Sequence, residues 1–193
     1  MVGGNEDVIS GIINLALDSG ISGLELREVI LTTYLFDGYP TALEGFRILA
    51  EYSETPEMDK SEFIYSPLNI DLWRQRGEPL CRRIYGSQYE QLMVRVERIA
   101  PELADAMMVE GYGKVLSRDK LETRVRELCI VAILAIKNKP RQLLSHSLGA
   151  LRLGASPEQL RSVIGMVGSY VPKSHIDAAG KIVEEAISKY MLP

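Results

Sequence analysis

The sequence predicts an all-α protein built as a helical bundle with an internal repeat. Apolar residues recur at spacings of three and four along most of the 193 residues, capping residues mark helix starts and stops, and no segment sustains the alternation of a strand. The helical signals also recur along the chain. Residues 12–51 align without a gap on residues 146–185, 134 positions later, matching Ala16, Leu17, Gly20, Ser22, Leu26 and Arg27 with Ala150, Leu151, Gly154, Ser156, Leu160 and Arg161. Val29, Ile30, Ile48 and Glu51 match Val163, Ile164, Ile182 and Glu185. His146 falls opposite Ile12, so a site built on that imidazole belongs to the C-terminal copy.

A first helix is expected over residues 6–19, closed by Gly20, which can adopt the left-handed conformation that ends a helix. Ser22 with Glu25 three residues on forms a capping box and opens a helix over 23–36. The aromatic-rich stretch from Tyr34 to Pro40 breaks the chain before a third amphipathic helix over 40–52. Residues 53–67 are polar and proline-bounded, the composition of a linker. The expected organisation is therefore an N-terminal half repeat of three helices (1–52), a linker (53–67) and a second domain (68–193).

In that second part, short helices are expected over 68–76 and 87–99, and Pro101 opens another that runs to about residue 110. Gly111-Tyr112-Gly113 then breaks the chain, with Tyr112 punctuating a turn. The remaining helices are expected over 121–137, 140–153, 157–169 and 173–190. Gly154 repeats the stop seen at Gly20, Ser156 with Gln159 repeats the capping box, and Pro157 takes the first helical position, where its missing N–H costs nothing.

With 46% hydrophobic and 25% charged residues, the chain can bury one substantial core or two small ones. A net charge of −4 and scattered basic residues argue against a nucleic-acid partner. The longest apolar run, residues 128–136, falls far short of the roughly 20 residues needed to span a bilayer, and the polar N-terminus has no signal pattern. No membrane association and a cytoplasmic location are expected.

His146 shares a helical face with Gln142, Leu143, Gly149, Ala150 and Leu153. An imidazole among such small and apolar neighbours is either a core histidine with one partner or a group facing a ligand space. Glu127 opens the most hydrophobic helix and shares the face of Ile130, Val131 and Leu134, where a partly buried carboxylate needs a cation or a donor. An arginine or His146 can supply it. A carboxylate on one imidazole nitrogen fixes the tautomer and raises the basicity of the other, an arrangement suited to acid–base work near neutral pH. Arg124, Arg126 and Arg141 lie at helix starts, as anion ligands or as ordinary surface charge, and Gln142 stands beside Arg141 at a helix N-terminus. His175 is expected in a solvated or capping position. Cys81 and Cys129, 48 positions apart, form neither a C-x-x-C pair nor a zinc knuckle. Cys129 reads as a small buried hydrophobe, while Cys81 lies beside two arginines that favour a thiolate. No metal-ligand spacing is present and no cofactor is expected.

Four stretches together resemble the carboxymuconolactone decarboxylase family, which includes the alkylhydroperoxidase D-like peroxidases. They are Gly111-Tyr-Gly-Lys-Val-Leu-Ser-Arg-Asp-Lys-Leu121, Arg126-Glu-Leu-Cys-Ile-Val-Ala132, Pro140-Arg-Gln-Leu-Leu-Ser-His146-Ser-Leu-Gly-Ala150 and Gly154-Ala-Ser-Pro-Glu-Gln-Leu-Arg-Ser-Val-Ile164. The segment Gly77-Glu-Pro-Leu-Cys-Arg-Arg-Ile-Tyr-Gly86 is similar to one preceding this core in decarboxylase-type members. The resemblance implies an alkylhydroperoxidase D-like helical bundle that assembles as a homo-oligomer, a trimer or hexamer, with sites near subunit boundaries. In the peroxidase branch a glutamate, a C-x-x-C pair and a histidine form the site. Glu127 and His146 match, 19 positions apart, whereas Lys139 and Gln142 occupy the two cysteine positions. The decarboxylase branch lacks the cysteine pair and fits better.

The function expected from this resemblance is acid–base chemistry on a small carboxylated lactone or related organic acid. It assigns His146 as the acid, Glu127 as its orienter, and Arg124, Arg126, Arg141 and Gln142 to substrate binding. The alternatives are a thiol peroxidase acting through Cys129 or Cys81, and a non-catalytic oligomer with a structural histidine.

Overall fold

The computed structural model of the chain describes residues 6–54 and 60–192, and among them there is no strand. The helices are α1 (Glu6–Asp18), α2 (Gly23–Tyr52), α3 (Pro67–Tyr85), α4 (Tyr89–Ile99), α5 (Pro101–Ala106), α6 (Thr123–Ile136), α7 (Pro140–Arg152), α8 (Pro157–Val167) and α9 (Lys173–Met191). A π-helical segment, Met107–Leu116, follows α5 directly. The all-α expectation holds, and the predicted caps are in place. Ser22 and Ser156 each accept from the backbone N–H three residues on, and Glu25 and Gln159 reach back to complete both boxes.

The turns before the two boxes share one geometry. Gly20 and Gly154 have φ of 88° and 94°. Ile21 N–H donates to the Ala16 carbonyl at 3.0 Å and Gly20 N–H to Leu17 at 2.9 Å, while Ala155 and Gly154 donate to Ala150 and Leu151 at 2.9 and 3.0 Å. The nested pair of bonds is a Schellman closure, which satisfies carbonyls that the helix end would otherwise orphan.

The chain divides into two compact units, residues 1–56 with 120–193, and residues 57–119. This differs from the boundaries expected from the sequence, where the first 52 residues stood apart. Helices α1 and α2 bury their apolar faces within the same unit as the C-terminal helices. Ile9 and Ile13 of α1 form one cluster with Ile30, Ile48 and Leu49 of α2, and α2 also packs on α6. Burying each such side chain contributes about 1.5–3 kcal/mol, which outweighs any advantage of a polar linker in keeping the segment separate. Within α2 the predicted break is a single kink at Gly38 (φ 87°, ψ 169°), with Pro40 two residues on.

In the unit of residues 57–119, two sequence expectations give way. Helix α3 does not stop at Arg76 but continues through Gly77 and Pro79 to Tyr85. Gly111-Tyr112-Gly113 does not break the chain but lies in the π-helical segment, with Tyr112 buried and its ring edge-on to Tyr85 at 6.3 Å. The cause is close packing of α3 against the π-helix. A Cβ on Gly77 would lie 2.6 Å from the Met108 carbonyl oxygen, and one on Gly113 would run into the Trp73 backbone. The glycines are used for backbone approach, so neither terminates its helix.

In the other unit α6 is central, packing against α2, α7, α8 and α9. Its buried residues include Ile130, Val131, Leu134 and Ala135, and also the charged Arg126 and Glu127. A helix apolar on several faces with two buried charges requires partners for both.

Candidate active site

Glu127 and His146 supply one of those pairings. Glu127 lies in the first turns of α6 and His146 in the middle of α7, and the two helices pack side by side. His146 Nδ1 is 2.8 Å from Glu127 Oε2, and the residues are 4% and 1% exposed. With Glu127 as carboxylate, Nδ1–H donates, and the contact fixes the orientation of the ring. The ring is held on another side by Phe36 of α2, edge-on at an interplanar angle of 89° and a centroid distance of 5.4 Å.

Arg126 is the second buried charge, 1% exposed. Its Nη2 donates to Glu28 Oε2 at 2.9 Å, and its Nη1 donates to Thr32 Oγ1 at 3.0 Å and the Glu28 carbonyl at 3.3 Å. Thr32 Oγ1 in turn donates to the Glu28 carbonyl at 2.8 Å. The guanidinium is committed to tying α2 onto α6. The expected anion-binding role of Arg126 is therefore replaced by a structural one.

Arg124 is likewise committed, donating from Nε and Nη2 to the two Glu122 carboxylate oxygens at 3.0 Å each, and this carboxylate raises its pKa. Arg141 and Gln142 are exposed at the start of α7, on the same helix as His146. His175 lies in the first turn of α9, half-buried, with its Nε2 atom buried.

The cysteines are placed unfavourably for thiolate chemistry. Cys129 lines an apolar cleft, and burial pushes its thiol up to about 11, with Arg126 pulling weakly the other way. It is protonated at neutral pH, and a peroxidatic sulfur must be a thiolate. Cys81 is wholly buried in α3. The adjacent Arg82 is engaged by Glu78 at 2.8 Å and Glu90 at 2.6 Å instead of by a thiolate. Among the described residues no group of three or more His, Cys, Asp or Glu side chains is placed to hold a metal.

Sequence reasoning missed what α2 contributes. Glu28, Thr32 and Phe36 stand at i, i+4 and i+8, a stripe that meets Arg126 and His146. Its signal is the pair of polar residues Glu28 and Thr32 flanking the apolar run Val29-Ile30-Leu31.

These features define a class, an all-helical protein whose central helix pairs a buried carboxylate with an imidazole on the next helix. Residues 101–185 match the sequence model of the carboxymuconolactone decarboxylase family. The matched stretch contains Glu127 and His146, while Glu28, Thr32 and Phe36 lie outside it. Over 160 residues, 81% of this chain and 74% of the relative, the sequence is 28% identical to Peroxisomal protein 2 of Schizosaccharomyces pombe. No helix among the described residues is long and apolar enough to cross a membrane.

Proposed function

We propose that the protein acts by acid–base chemistry on a small carboxylated lactone or related organic acid, with decarboxylation as the reaction. The observation that carries the reading is the 2.8 Å contact between Glu127 and His146, which sets a carboxylate against the imidazole and fixes the orientation of the ring. As the carboxylate leaves as CO₂, the electron pair of the broken C–C bond passes through the ring double bond to the lactone carbonyl. The resulting dienolate takes a proton from the imidazolium of His146, and solvent returns it. Glu127 stabilises the imidazolium while the proton is held and keeps the ring in one orientation. Arg141 and Gln142, at the N-terminus of α7, are the groups offered to the substrate carboxylate. Assembly into a homo-oligomer and a cytoplasmic location belong to the same proposal. The relative's name places that protein in the peroxisome, so imaging the tagged chain tests the compartment.

The test is loss of γ-carboxymuconolactone with CO₂ release by the protein and by His146→Gln. Turnover that vanishes in a folded variant supports the mechanism. The second reading, a non-catalytic oligomer with a structural dyad, is favoured by the near-complete burial of the pair. It predicts no turnover by either protein and a lower melting temperature for the variant.

A further inference from the structure

We propose that an apolar cleft bounded by α1, α2, α6 and the end of α8 is a binding site for a small uncharged hydrophobic molecule. This site is separate from the Glu127–His146 pair. The cleft has a volume of about 230 Å³, and none of its lining residues is charged. Val8 and Ile12 come from α1, Val29 from α2, and Cys129, Ile133 and Ile136 from α6. Val167 and Tyr170 close it from the α8 side.

Helix α6 is the wall between the two places. At 100° per residue, Cys129, Ala132, Ile133 and Ile136 sit roughly 140–240° around the helix from Glu127. The dyad and the cleft thus occupy opposite faces, and the inference does not depend on the proposed decarboxylation.

Three observations set the ligand class. First, large apolar side chains at the rim are left open to water, Ile12 at 48% and Tyr170 at 43%, although contact with a hydrophobe would cover them. Second, the polar atoms inside carry no charge. The Thr33 hydroxyl donates to the Ile30 carbonyl, and the Cys129 thiol keeps its proton, its pKa raised to about 11. A carboxylate or phosphate entering the cleft would meet no cation, and a cation no carboxylate. Third, about 150 Å³ of apolar cavity holds a benzene ring, so a cleft of this size takes a hydrocarbon of roughly eight to ten carbons.

The test is a titration of the full chain, methyl-labelled at isoleucine and valine, with 1-hexanol, 1-octanol, 1-decanol and 1-dodecanol, read by NMR. Saturable shifts are expected at Ile12, Ile133, Ile136 and Val167 and not at Ile84. Each methylene added between hexanol and octanol should tighten binding about fourfold, with the gain ending near ten carbons, where the cleft is full. Ala132→Phe, which fills the cleft from its α6 wall, should abolish the shifts. If that variant does not fold, the chain-length series on the unaltered protein decides. Absence of saturation, equal shifts at Ile84, or a series that keeps tightening beyond decanol overturns the proposal. So does a cleft whose signals move on protein dilution alone and ignore octanol at high protein concentration, because a second copy of the chain would then be the occupant.

Discussion

Replacing Arg126 with methionine tests whether the buried ion pair holds α2 onto α6. The substitution leaves the Glu28 carboxylate, 2% exposed, without the Nη2 donor at 2.9 Å, and the Thr32 hydroxyl without the Nη1 donor at 3.0 Å. Stranding one member of a buried pair costs about 3–5 kcal/mol. At about 2–4 °C per kcal/mol for a chain of this size, Tm should fall by roughly 6–20 °C. Removing both charges, Glu28→Leu with Arg126→Met, should recover most of that loss, because neither member of the pair is then left stranded in the interior. Thermal and urea melts of the four proteins, followed by far-UV circular dichroism, give the cycle. The expected coupling is at least about 2 kcal/mol. Trp73 lies in the other compact unit, so its fluorescence is the wrong probe. An Arg126→Met variant melting within about 2 °C of the parent, or a double variant as unstable as the sum of the singles, would refute the reasoning.

Three further outcomes are expected. Glu127→Gln keeps a hydrogen-bonding group beside His146 but cannot stabilise its cation, so kcat on γ-carboxymuconolactone should drop by about 10²-fold or more with a smaller change in KM. For Cys129 the folded state holds the thiol proton more tightly than the unfolded state, with the pKa raised from 9.0 to about 11. Its stabilisation is therefore complete below pH 9 and fades as pH rises towards 11, by up to about 2 kcal/mol, and Cys129→Ala should lack that part of the alkaline loss in urea midpoints. Gly113→Ala forces a methyl group against the Trp73 backbone, and a loss of about 1–3 kcal/mol should appear in melts followed by Trp73 fluorescence.

What could be read from the chain depended on distance along it. The capping boxes at Ser22 and Ser156, the stops at Gly20 and Gly154 and the kink at Gly38 involve groups within a few residues of one another, so sequence spacing alone specifies them. The Glu127–His146 pair, 19 positions apart, was legible through the family motif and through the need of a buried carboxylate for a donor. The assignments of Arg126 and of Gly111-Tyr112-Gly113 failed for a common reason. Arg126 looks like a surface charge at a helix start until α2 brings Glu28, 98 positions away, against it. Gly113 looks like a helix breaker until Trp73 approaches it so closely that no side chain fits.

The sequence by itself determined the helical class, most helix starts and stops, and the two residues of the dyad, because each is set by short-range hydrogen bonding and periodic burial. Only the tertiary structure decided that α2 supplies the counter-charge for Arg126 and the ring against His146, and that α6 carries the dyad on one face and an apolar cleft on the other. Those outcomes depend on which helix faces meet. That choice is made by the collective burial of apolar surface, and no single residue or spacing encodes it.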